Sequence, residues 1–325
     1  CMEAGDMEKK EGGMIISASR RTDIPAFFSD WFLKRAEKQY VYVRNPMNPH
    51  QVSRISLAPE VVDGIVFWSK NPAPMLEKLG RLEGYAYYFQ FTLNAYGRDM
   101  EANLPPLDER MDTFRRLSER LGRHRVIWRY DPGIVNGRYP MEWHRERFGY
   151  MADRLGDFTE RVTISFVDLY PKIAGAARGK DVRELSGGQK EALAETFAGI
   201  AHGHKLAIDT CAEDIDLEAF GIEHGRCIDG RLVSRLLGCG LDLGKDKNQR
   251  PACGCAQSID IGLYNTCQNG CAYCYANHSP AVRHRNLQAY DPDAPLLCSQ
   301  LTESDRVTER KMESCRDGQI RFFDL

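Results

Sequence analysis

The stretch Leu107-Asp-Glu-Arg-Met111-Asp-Thr-Phe114-Arg-Arg-Leu117-Ser-Glu-Arg-Leu121-Gly-Arg-His-Arg125-Val-Ile-Trp-Arg-Tyr130 joins two signals. Leu107, Met111, Phe114, Leu117 and Leu121 recur at helical spacing, one apolar stripe. The run Arg125–Tyr130 that follows is β-rich, so a helix feeds a strand. The same alternation recurs along the chain. Candidate strands lie at Met14–Ala18, Tyr40–Val43, Gly64–Trp68, Tyr87–Leu93, Arg125–Tyr130, Val162–Val167, Lys205–Thr210 and Ser258–Leu263. Phe28, Phe32 and Ala36 form a helical stripe between the first two. Leu193, Phe197, Ile200 and Ala201 form another before the seventh. Eight strand–helix alternations predict an α/β fold, a closed parallel (β/α)8 barrel of TIM type. An open doubly wound sheet with a cysteine-rich tail is the alternative.

Length and composition fit that size. The chain has 325 residues, 42% of them hydrophobic, enough for one large barrel. Residues 14–290 are expected to form it, including a cysteine-rich region at 211–277. Residues 1–13 read as a polar leader, with Met14 as the start of the fold. Residues 291–325 read as a tail packed on the barrel exterior. Net charge is −2, from 44 basic and 46 acidic residues, so charge does not indicate nucleic acid as a partner. No apolar run approaches a membrane span and no signal peptide opens the chain, so the expectation is a cytoplasmic protein without membrane contact.

In a parallel barrel the site gathers at the C-terminal ends of the strands. The residues there are polar or turn-forming: Ser17 to Asp23 after the first strand and Arg44-Asn45-Pro46 after the second. Trp68-Ser69-Lys70 ends the third, and Gln90, Thr92 and Asn94 the fourth. Arg129-Tyr130-Asp131 ends the fifth, Ser165 and Asp168 the sixth, and Asp209, Cys211 and Glu213 the seventh. Arg20, Arg21, Asp23, Arg129 and Asp131 are the candidate catalytic groups. Arg129 and Asp131 read equally as a buried ion pair that orders the scaffold.

Ten of the eleven cysteines lie from Cys211 onward. In a long chain without a signal peptide this pattern reads as metal binding rather than as a disulfide scaffold. Cys267, Cys271 and Cys274 are spaced C-x3-C-x2-C, with Gly270 permitting a tight turn and Tyr273 placed to pack beside a cofactor. Three thiolates hold three irons of a 4Fe-4S cluster and leave one open. An electron-transfer cluster or a structural zinc takes four ligands. Cys253 and Cys255 precede the last strand, a strand length away from Cys267. With Cys211 and Cys227 they make a possible second site, for a closed 4Fe-4S cluster or zinc. Some of these are alternatively ordinary buried thiols.

The segment Tyr264-Asn-Thr-Cys267-Gln-Asn-Gly-Cys271-Ala-Tyr-Cys274-Tyr275-Ala276-Asn277 resembles the cluster loop of radical S-adenosylmethionine enzymes. It is most similar to the branch containing spore photoproduct lyase, where a Cys-Tyr-Ala stretch also follows the motif. From Met14 onward the chain resembles a family of unknown function whose C-terminal cysteines are similar to the radical-enzyme motif. The resemblance implies an open-site 4Fe-4S cluster, S-adenosylmethionine, and an electron donor such as a flavodoxin or ferredoxin. It also implies a 5′-deoxyadenosyl radical acting on an unknown substrate, small or macromolecular. In that superfamily the cysteine loop follows the first strand; here it follows the last, as a circular permutation would place it. The Gly-Gly-Glu segment of those enzymes is missing after strand one. Ser17, Ser19 and Asp23 stand there as acceptors, and Arg20 or Arg21 is placed to pair with the methionine carboxylate. Ser69 and Gln90 fall where ribose and adenine contacts are expected.

Two readings compete with this one. The first is a non-radical metalloprotein with closed clusters or structural zinc. The second is a nucleic-acid-modifying enzyme related to the lyase branch. Leu185-Ser-Gly-Gly-Gln189 copies a transporter-ATPase signature, but no phosphate loop accompanies it, and it reads as a helix start with Ser186 as N-cap.

Overall fold

The structure is a computed structural model that describes residues 14–169 and 179–320. The leader at 1–13, and Phe322 and Phe323 of the tail, lie outside the described residues. In chain order the strands are β1 (Ile15–Ala18), β2 (Tyr40–Arg44), β3 (Gln51–Ser56), β4 (Gly64–Ser69), β5 (Tyr87–Thr92), β6 (Val126–Gly133) and β7 (Arg161–Phe166). They continue as β8 (Ala207–Thr210), β9 (Glu223–His224), β10 (Cys239–Leu241), β11 (Ser258–Asp260), β12 (Arg306–Glu309) and β13 (Arg316–Ile320). Eight form one parallel sheet in the order β11-β1-β4-β5-β6-β7-β8-β9.

Both faces of this sheet are buried, because alternate side chains serve two separate cores. On one face Ile16, Phe67, Phe89, Trp128 and Ile164 meet an outer layer of helices. The helices Ser29–Lys38, Leu107–Leu121, Met141–Leu155 and Gly187–Gly203 bring Phe32, Phe114, Phe148 and Phe197 to it. The last of these helices begins with a capping box of Ser186 and Gln189. On the other face Ile15, Val66, Tyr88 and Ile127 pack against Ile228, Leu232 and Val233. These come from the segment between β9 and β11.

That packing departs from the closed barrel predicted by the sequence. Among the described residues no ladder joins the edge strands β9 and β11. The segment between them packs on the face opposite the outer helices instead. Tyr88 donates its hydroxyl to the Cys227 carbonyl at 2.7 Å and accepts from the Asp229 N–H at 2.8 Å. Arg161 reaches Asp229 at 3.1 Å. The helix Gly230–Leu237 then supplies the apolar plug.

A second departure concerns Tyr40–Val43. It forms β2, but in a three-stranded sheet of order β12-β3-β2, antiparallel to β3. The eighth strand of the main sheet is β9, two exposed residues long. The tail contributes β12 to the small sheet and β13 to a pair with β10. No helix of the described residues is long and apolar enough to cross a membrane.

Candidate functional site

Three strands change from apolar to polar one step along the inner face: Ile15 is followed by Ser17, Tyr88 by Gln90 and Ile127 by Arg129. The change falls at the C-terminal ends of the strands and opens a cavity of about 720 Å³. Of the ten described cysteines, all free thiols, seven line it: Cys211, Cys227, Cys253, Cys255, Cys267, Cys271 and Cys274. Cys298 is instead packed in the outer core as a small apolar side chain.

The loop carrying Cys267, Cys271 and Cys274 follows β11, which pairs with β1. Gly270 turns it with φ +71°, and a Cβ there would come within 3.0 Å of Asn103. Backbone N–H groups of Asn269 and Asp23 point at the Cys267 sulfur, and those of Ala276 and Asn277 at the Cys274 sulfur. Burial raises all three thiols, Cys267 to about 12; the Lys70 ammonium pulls Cys271 and Cys274 the other way. Protons held this firmly leave when a metal supplies the compensating charge. As they stand, no three His, Cys, Asp or Glu side chains among the described residues are arranged round one metal ion. A cubane makes a different demand: it places each thiolate on a separate iron. The donor set, the N–H groups on its sulfurs and the cavity beside it fit such a cluster.

Asp23 fixes this loop. Its carboxylate accepts from Ala26 N–H at 3.0 Å, Ser69 Oγ at 2.7 Å, Lys70 N–H at 2.8 Å and Asn269 Nδ2 at 2.9 Å. Burial raises its pKa against those four bonds. Asp260 performs the same service for the β1 loop. It accepts from Ser17 Oγ at 2.9 Å, Ser19 Oγ at 2.6 Å and the Arg20 N–H at 2.8 Å. Ser17, Ser19, Ser69 and Asp23 are therefore committed to one another and to the scaffold. Ser17 and Gln90 do not line the cavity; Gln90 donates to the Cys227 carbonyl at 2.9 Å.

Arg129 and Asp131 form an ion pair, with Arg129 Nε donating at 3.1 Å. Burial would raise the Asp131 pKa, but Arg129 and the Ser165 hydroxyl bring it down. Arg129 also donates to Cys227 Sγ at 2.8 Å, and both Arg129 and Arg20 lie over the Trp68 ring, at 5.1 and 5.6 Å from its centroid. Arg21 stands 3.8 Å from Asp260 and over the ring of Tyr264. Three polar atoms on cavity-lining residues are buried without a partner: Thr22 Oγ1, Trp68 Nε1 and Arg20 Nε. Such atoms carry a desolvation cost that a ligand would relieve.

Sequence reasoning gave no role to Lys70, Glu101 or Asn269. Lys70 bonds Glu101 at 2.8 Å and the Tyr273 hydroxyl at 3.0 Å, and Tyr273 also donates to Glu101. Burial would raise the Glu101 pKa, yet Lys70 and Arg110 hold it below the usual range. Lys70 sits at a strand end and was legible as a mouth residue; Glu101 comes from a loop without any pattern. Arg44-Asn45-Pro46 does not reach the cavity, because β2 belongs to the small sheet.

Residues 15–276 match the family model described as a domain of unknown function, DUF1848. The chain belongs to that family, and the match takes in all seven cavity cysteines. Comparison with curated proteins and with solved structures gave no significant match.

Proposed function

We propose that this member of the DUF1848 family is an iron–sulfur enzyme of radical S-adenosylmethionine type, built on an incomplete, circularly permuted parallel barrel. The observation that carries the reading is the loop after β11. Its three thiols share a large cavity, backbone N–H groups cradle two of the sulfurs, and the loop offers no fourth cysteine. Cys267, Cys271 and Cys274 would hold the cluster. When bound there, such a cluster would supply one-electron reduction of S-adenosylmethionine, the chemistry that yields methionine and a 5′-deoxyadenosyl radical for hydrogen abstraction.

The chain's own residues orient and enclose. Asp23, through Asn269, sets the cysteine loop on the β4 end. Thr22, Trp68 and Arg20 offer the unpaired polar atoms from which a bound nucleoside and amino acid would take hydrogen bonds. Lys70, held by Glu101, places a cation beside Cys271. The cavity lining mixes cations such as Arg21 and Arg250 with carboxylates such as Asp168, Asp246 and Glu213 in near-equal number. That balance favours a small polar substrate over a polyanion such as DNA or RNA. A flavodoxin- or ferredoxin-like protein would supply the electron.

The test is product formation. Anaerobically reconstituted protein given dithionite and S-adenosylmethionine is expected to release 5′-deoxyadenosine, measured by chromatography with mass detection. Cys271→Ala is expected to release none, whereas Cys298→Ala keeps the wild-type yield. No nucleoside from the wild type, with iron and sulfide present, would overturn the reading.

A further inference from the structure

Four cysteines remain that the cluster loop does not use. Cys211 follows β8, Cys227 follows β9, and Cys253 and Cys255 precede β11. The fold gathers them from three separate segments into one buried group. Cys227 Sγ donates to Cys211 Sγ at 3.3 Å, and Cys255 bonds both Cys227 and Cys253. Cys227, Cys253 and Cys255 are each less than a tenth exposed. A run of thiol–thiol hydrogen bonds is a weak use of four clustered thiols, three of them buried, since S–H is a poor donor and sulfur a poor acceptor. Strong donors already face the sulfurs. Arg129 Nη1 lies 2.8 Å from Cys227 Sγ, and the Ile228 N–H lies 3.3 Å from Cys255 Sγ. Arg20 Nε, on the same cavity wall, is buried without a partner.

We propose that Cys211, Cys227, Cys253 and Cys255 hold a second metal centre, closed by four sulfur ligands, that staples the segment between β9 and β11 onto the sheet face opposite the outer helices. Four thiolates carry negative charge in excess of a divalent ion or a cubane core, and Arg129 and Arg20 offset it. The thiols are bonded to one another rather than spread round a point, so loading exchanges S–H···S contacts for sulfur–metal bonds by rotation of the side chains. With every ligand supplied by the chain, this centre has no open position for substrate. Its place in the fold gives it a mechanical role: it spans the gap between β9 and β11, which no ladder among the described residues closes. The inference does not depend on S-adenosylmethionine chemistry at the other loop.

The experiment measures iron, zinc and acid-labile sulfide per chain in full-length protein purified without oxygen. The wild type is expected to carry more metal than a single four-iron cluster accounts for. A variant with Cys267→Ala, Cys271→Ala and Cys274→Ala together is expected to retain metal, and adding Cys255→Ser is expected to remove it. Zinc without sulfide, or iron with sulfide, identifies the centre. Metal-free triple variant, together with wild-type metal equal to one cluster or less, would overturn the proposal. Equal metal in the wild type and the triple variant would instead count against the cluster loop and leave the four-cysteine site standing. The wild-type stoichiometry reads the site even if the variants fail to fold.

Discussion

Asp23 shows how single residues at this site act through others. Four hydrogen bonds converge on its carboxylate, one of them from Asn269 inside the cysteine loop. Asp23→Asn keeps the volume but turns an acceptor into a donor facing other donors. We expect it to destabilise the protein by about 1–3 kcal/mol in urea unfolding and to lower cluster content in reconstitution. His144 provides a separate check on the fold. Its ring bonds the Tyr130 hydroxyl at 2.7 Å and the Ile134 carbonyl at 2.8 Å, and burial holds its pKa down to about 4 from 6.5. The unfolded chain therefore binds the proton more readily. Stability from this group is full above about pH 6.5 and falls as pH drops toward about 4, by about 3 kcal/mol in total. Metal-free protein should show this slope in unfolding midpoints, and His144→Phe should flatten it. At this scale the cysteine motif and the Arg129–Asp131 pair were legible, because their spacing is local. Asp260 meets Ser17, Ser19 and Arg20 from the other end of the chain, and Glu101 itself lies in a patternless loop, so no local signal announced these contacts.

Among the elements, those with one dominant pattern were readable and those without were not. The stripe from Leu107 to Leu121 coincides with the helix that forms. Gly64-Ile-Val-Phe-Trp is a continuous apolar run, as a strand buried on both faces should be. Tyr40-Val-Tyr-Val-Arg is apolar up to its last residue as well, yet only Val41 is buried, because β2 lies in the small mixed sheet. Two exposed residues, Glu223 and His224, carry no strand signal; their pairing follows from the turn that brings them beside β8. The close approach to the end of β8 depends on Gly225, just past β9, whose N–H bonds the Thr210 carbonyl at 2.8 Å. A Cβ there would lie 2.4 Å from the Thr210 carbonyl oxygen, a backbone atom that cannot swing away. Gly225→Ala is expected to cost about 1–3 kcal/mol in urea unfolding and to shift the Cys227 segment, whereas Gly80→Ala, with open space around it, should be nearly neutral.

Across the whole molecule, the open edge between β9 and β11 and the cavity at the strand ends belong together. The segment carrying Cys227 to Cys255 covers the sheet face opposite the outer helices, and the β1–β11 pairing sets the Cys267–Cys274 loop beside β1. The count of alternations predicted a parallel α/β sheet, and the chain forms one; it did not reveal the unpaired edges, since edge pairing depends on where a long connection folds. The most direct measurement is the EPR spectrum of the reduced, anaerobically reconstituted protein, recorded before and after adding S-adenosylmethionine. A 4Fe-4S cluster held by Cys267, Cys271 and Cys274 alone would leave one iron accessible, so the proposal predicts that the spectrum changes on addition and that the change disappears in Cys271→Ala. Superimposable spectra from a protein that contains iron and sulfide would contradict the account.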